Sequence, residues 1–156
     1  MPNPRIPWQA ETRNALWAAL HAESDWLAAF GNGTEYQFIK GQLVKRHEPE
    51  PSKCPMLAIF PASTELPPVS RKTLGGDVDR YRVSAEIVTV ELDDAEILVY
   101  LFHASMRSQW ATLATVRDNR LYQIDASVEY EPLPAKDAPR PLWLAAITLT
   151  CRYRQA

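Results

Sequence analysis

The sequence predicts an α+β domain, with helices packed on one face of an antiparallel sheet, in the order α–β–β–β–α–β–β. Three observations carry this. Residues 121–131 and 142–154 alternate apolar and polar side chains almost without fault. Residues 79–92 do the same over most of their length. Residues 8–30 and 93–109 instead space their apolar side chains at helical steps. Long alternation marks antiparallel strands with one wet face.

The elements follow in order. Residues 8–30 are rich in Ala and Leu, and Ile6, Trp17, Leu20, Trp26 or Leu27, and Phe30 approximate one stripe. Pro7 suits a first helical turn, and Ser24-Asp25 suits the cap of a second short helix over 25–30. Gly31-Asn32-Gly33 is a stop. Residues 35–46 carry a weak strand signal interrupted by Gly41, and 47–55 reads as loop. Met56 to Phe60 is a short apolar run between prolines, of strand length, with both faces expected to be buried. Residues 61–78, with Pro67-Pro68 and Gly75-Gly76, read as a long loop.

The strand over 79–92 sets Tyr81, Val83, Ala85 and Ile87 against Arg82, Ser84 and Glu86. Asp93 is expected to cap a helix over 93–109 with the stripe Ile97, Leu98, Leu101, Phe102 and Met106. Asp94 and Glu96 in its first turn and Arg107 in its last agree with the helix dipole. In the closing hairpin, Tyr122, Ile124, Ala126, Val128 and Tyr130 share one face of the first strand. Ile147, Leu149, Cys151 and Tyr153 share one face of the second. Residues 132–141 connect the two.

A chain of 156 residues is one domain, 1–156, with long loops at 62–78 and 132–141. It is 46% hydrophobic and 23% charged, as expected of a soluble chain that buries a core without staples. Its net charge of −2 argues against an electrostatic nucleic-acid binder. No apolar run is long enough to span a membrane, and Met1 to Arg5 leads into no apolar signal segment. Composition alone therefore suggests a cytoplasmic chain. The 13 prolines cluster at element boundaries.

The search for chemistry comes up empty. No phosphate-binding, dinucleotide-binding or nucleophile-elbow motif is present. Cys54 and Cys151 stand too far apart for a zinc or redox motif and read as reduced, partly buried thiols. His21, His47 and His103 have no second ligand at metal spacing. Asp93, Asp94 and Glu96 are accounted for by the helix start, and Glu129 and Glu131 by the wet face of a strand. No catalytic residue, cofactor site or metal site is expected, and the chain is not read as an enzyme. Basic residues at 40–46, 71–82 and 152–154 are interspersed with acids, a pattern of solvated faces or of charge-paired subunit contact.

As a whole the chain resembles the tail terminator, or tail-completion, proteins of long-tailed bacteriophages. The resemblance is one of layout over nearly the whole chain. A helix at 8–30 opens it. The proline-flanked strand Cys54-Pro55-Met56-Leu57-Ala58-Ile59-Phe60-Pro61 follows, then the loop 62–78 and the strand 79–92. A helix opening Asp93-Asp94-Ala95-Glu96 precedes a strand pair that ends in the run Trp143 to Arg154.

The resemblance implies an α/β sandwich with a mixed, mostly antiparallel sheet and helices on one side. It also implies a structural component of the virion neck, made in the bacterial host cytoplasm. Such a protein forms a ring of six copies on the last ring of the tail tube, ends tube growth and meets the head connector. Its partners would be itself, the tail tube protein and head–tail connector proteins. Membranes and sequence-specific nucleic acid are not expected, although DNA would pass through the lumen. The contacts are expected in the two long connections, at Pro67, Pro68, Arg71, Lys72, Asp77, Asp79, Lys136, Asp137 and Arg140, and at Trp143. Trp8 and Trp110 also lie near element ends, and Asp77, Asp79, Asp93 and Asp94 are candidates for an acidic lumen wall. The alternatives are a head-completion or connector adaptor, a tail-tube relative, or a small cytoplasmic binding module. A module would be a monomer or dimer with an apolar pocket.

Overall fold

The computed structural model describes residues 6–37, 50–72, 77–135 and 138–155. Most of the weak strand signal at 35–46, the Gly75-Gly76 pair, and Lys136 and Asp137 lie outside the described residues. Two helices open the chain, α1 (Trp8–His21) and α2 (Ser24–Phe30), followed by the short strand β1 (Thr34–Gln37). Strands β2 (Met56–Glu65) and β3 (Arg80–Thr89) lead into α3 (Leu92–Ser108) and two single-turn helices, α4 (Trp110–Leu113) and α5 (Val116–Asn119). The hairpin β4 (Leu121–Leu133) and β5 (Leu142–Tyr153) closes it.

The strands form one open sheet in the order β1-β2-β3-β5-β4. Among the described strands only the β1–β2 pair is parallel. The sheet is therefore mixed and mostly antiparallel, and the α+β class read from the alternation holds. The helices cover the face made by Leu57, Ile59, Tyr81, Val83, Ala85, Ile87, Ile147, Leu149 and Cys151. Trp26, Tyr81 and Phe102 are the largest side chains fully buried there. Burying such a side chain is worth roughly 1.5–3 kcal/mol. The opposite face is polar through its middle, with rungs such as Ser84, Thr148 and Ser127. A second small core of Met56, Val88, Leu142 and Leu144 closes that face at one end.

Several expectations are corrected. β2 does not stop at Phe60 but runs on to Glu65, because β3 offers a partner along its whole length. Pro61 has no N–H to give, and the ladder slips between Pro61 and Ser63. The connection is thus shorter than 62–78. Met56, Leu57 and Ile59 are buried, but Ala58 and Phe60 only in part. The N-caps are Pro7, Glu23 and Glu91, none with a side-chain bond, so neither Ser24 nor Asp93 caps its helix. Ile6, Leu27 and Ile97 point to solvent, while Trp26 takes the core position. Ala95 and Ser105 replace Ile97 on the buried side of α3. α4 and α5 were not foreseen.

Candidate assembly surface

The element that sets up this surface is the left-handed turn before β4. Arg117, Asp118 and Asn119 all have positive φ, at 55°, 55° and 67°. L residues lose roughly 1–2 kcal/mol each in that region, so neighbours must hold the turn. Glu11 accepts a hydrogen bond from the Arg117 backbone N–H at 3.0 Å. The Arg117 guanidinium sits 5.1 Å from the Trp8 ring centroid and donates to the Ile6 carbonyl at 3.1 Å. Trp8 also meets Tyr153 edge-on at 5.3 Å. Thr12 donates its hydroxyl hydrogen to the Trp8 carbonyl at 2.8 Å, so the Tyr153 hydroxyl must be the donor to Thr12 Oγ1, at 2.6 Å. Burial pushes the Tyr153 phenol above its ordinary range. Trp8, near an element end in the sequence, is a core anchor that fixes where β4 begins.

From that anchor β4 runs for 13 residues as the outermost strand of the sheet. Among the described residues only β5 pairs with it, so one edge of its backbone carries no ladder among them. Its helix-side face holds Tyr122, Ile124, Ala126, Val128 and Tyr130. Alternation predicted one dry face, but every one of these five is exposed or only half-buried. The reason is lateral offset: α3 packs over β3 and β5, and β4 reaches past it. On the other face stand Gln123, Asp125, Ser127, Glu129 and Glu131, all exposed. Asp125 is held by Gln123 and by Arg152, whose Nε lies 3.1 Å from Oδ2. The Gln123 bond and then the Arg152 bond hold its carboxyl below the usual range. Glu129 and Glu131 face Ala146 and Leu144 across the ladder and make no ion pair among the described residues.

Between α3 and β4 lies an open cleft of about 380 Å³. His103, Met106 and Arg107 form one wall and Tyr122, Ile124 and Ala126 the other. Further along, the Tyr130 phenol is raised by burial and by the charge of Glu96. Among the described residues no group of three His, Cys, Asp or Glu is placed to hold a metal. Among the described residues no helix is long and apolar enough to cross a membrane. What the surface offers chemically is a backbone edge unpaired among the described residues, an apolar cleft on one side and carboxylates on the other.

The residues singled out from sequence fall at two ends of the sheet. Pro67 is half-buried, and Pro68 and Lys72 are exposed. Arg71 folds back to pair with Asp79, at 3.2 and 3.4 Å. Asp77 is buried. Next to them Leu66 and Val69 stand exposed. Arg140 is exposed and Trp143 packs against the main core, both at the opposite end of β3 and β5. The acids considered for a lumen wall are not brought together. Asp77 and Asp79 precede β3, whereas Asp93 and Asp94 follow it, about 30 Å away along a ten-residue strand. β4 was missed as a surface. Its alternation was plain, but its position at the edge is not written in its own residues.

These features define a class: a two-layer α+β domain with one long sheet edge that is unpaired among the described residues. No family model matches the chain, and none of the curated proteins does. Among solved structures it is similar to a chain of the "Virion of native gene transfer agent (GTA) particle". The likeness covers 90% of this chain and 92% of that one, at 8% identity and a TM-score of 0.45.

Proposed function

We propose that this chain is a structural protein of a phage-like virion, a neck subunit of the tail-terminator type. It assembles into a ring on the end of the tail tube, ends tube growth and presents its far side to the head connector. The observation that supports this reading is β4: 13 residues of edge strand, unpaired on one side among the described residues, whose helix-side face is only partly covered beyond Leu121. A long edge strand is a ready template for pairing with another chain. The two edges of the sheet, β1 and β4, are unlike and lie on opposite sides, which suits the heterologous contacts that close rings. The exposed Leu66 and Val69 at one end and Arg140 at the other leave two further surfaces for stacked partners.

The test is to polymerise the tail tube protein of the same virion with and without this chain and to measure tubes by electron microscopy. The reading predicts shorter tubes capped at one end, and loss of capping in Ala126→Lys. Tubes of unchanged length and bare ends would overturn it and favour a binding module that uses the α3–β4 cleft.

A further inference from the structure

We propose that the free edge of β4 receives an added strand from another polypeptide, and that this strand alternates cationic and apolar side chains. The inference rests on the described geometry alone and stands whether or not the chain is a virion component.

Residues directly opposite each other on adjacent strands interact through their side chains, and opposite charges in that position attract. β5 already answers one acid of β4, diagonally, with Arg152, which stands opposite Gln123, bound to Asp125. It does not answer the other two, because Ala146 and Leu144 are the residues opposite Glu129 and Glu131. The remaining lateral position beside these carboxylates is on the free-edge side. A strand pairing there would place a Lys or Arg next to Glu129 and another next to Glu131. The residue between them would point to the opposite face, beside Tyr130. Its other apolar side chains would lie along Val128, Ala126 and Ile124 and enter the cleft walled by Met106. The required pattern is therefore cation, apolar, cation against Glu129-Tyr130-Glu131, followed by apolar residues at every second position. Pro132 lacks an N–H and ends the run that an added strand can pair with.

In one register the same charges disfavour a second β4. An antiparallel pairing of two copies centred on Ser127 would set Asp125 against Glu129 twice, and like charges in direct opposition repel. In that register the acidic face opposes self-pairing, while it leaves the edge open to a basic strand.

The experiment is fluorescence anisotropy of the full chain with a short labelled synthetic peptide alternating lysine and valine. Two controls accompany it: the same peptide with glutamate in place of lysine, and one N-methylated at alternate residues in each of the two frames. The lysine peptide is expected to bind and the glutamate peptide not. Glu129→Gln with Glu131→Gln is expected to weaken binding about fivefold, from two lost cross-strand charge pairs. N-methylation in one frame should abolish binding, because it removes the donors of the ladder. Any of three results overturns the proposal: no binding of the lysine peptide, equal binding of the glutamate peptide, or binding indifferent to N-methylation in both frames. The last would mean charge attraction without a strand. Both exchanged glutamates are exposed, and the peptide controls need no altered protein.

Discussion

Replacing Asp118 by glycine should stabilise this protein. Asp118 sits in the middle of three consecutive left-handed residues, at φ 55° and ψ 46°, with its side chain exposed. An L side chain there costs roughly 1–2 kcal/mol. Glycine removes that cost but loses roughly 0.5–1 kcal/mol more backbone entropy on folding. The difference leaves Asp118→Gly more stable by about 0.5–1 kcal/mol, or about 1–4 °C in Tm for a domain of this size. Neighbouring positions supply the contrast. Asn119→Gly should gain less, because asparagine tolerates this region better. Arg117→Gly relieves the same strain yet should destabilise, because it removes the Trp8 stacking, the bond to the Ile6 carbonyl and the Glu11 pair. The assay is urea denaturation with calorimetry on all three variants and on Asp118→Ala, which keeps the strain. A melting temperature for Asp118→Gly at or below the parent value would refute the reasoning. So would equal stabilisation by Asp118→Ala, which would trace the effect to the carboxylate and not to the backbone.

Three other outcomes follow from the core. Gly33→Ala should cost about 2 kcal/mol or more in urea unfolding, since an added Cβ would run into the Pro55 carbonyl oxygen and lie 2.9 Å from the Phe30 ring. Tyr153→Phe should cost about 1–2 kcal/mol, because the buried Thr12 hydroxyl loses the donor it accepts from; a Thr12→Val/Tyr153→Phe cycle should be strongly non-additive. Burial pushes the Cys151 thiol from 9.0 up to about 12. The unfolded chain therefore releases a proton above about pH 9 that the folded chain keeps, so stability contributed below pH 9 is lost as pH rises toward 12. Between pH 9 and 10 the urea midpoint of the parent protein should fall more steeply than that of Cys151→Ala.

The parts legible in the sequence were those whose periodicity is set by burial on the chain's own core. β3 and β5 have one face under the helices, so Tyr81, Val83, Ala85 and Ile147, Leu149, Cys151 alternate as they must. The break between α1 and α2 was visible near Ser24, although Glu23 and not Ser24 takes the cap position. What failed depended on partners distant in sequence. β2 passes through Pro61 only because β3 runs beside it, and nothing local to Pro61 reports that. Ile97 reads as part of a stripe, but the neighbours of α3 put Ala95 and Ser105 inward. β4 has the cleanest alternation of all, yet its apolar face is not dry, because strand order places it beyond α3. Periodicity reports which side chains share a face and is silent on whether anything covers that face.

Hydrogen exchange of residues 121–133, followed by mass spectrometry on the isolated chain and on the chain bound to tail tubes, tests the central claim most directly. The account predicts that the amides on the free edge of β4 exchange readily in isolation and become protected in the assembly, while those bonded to β5 are protected in both. An assembly that forms with the free-edge amides still exchanging at the isolated rate would contradict the account.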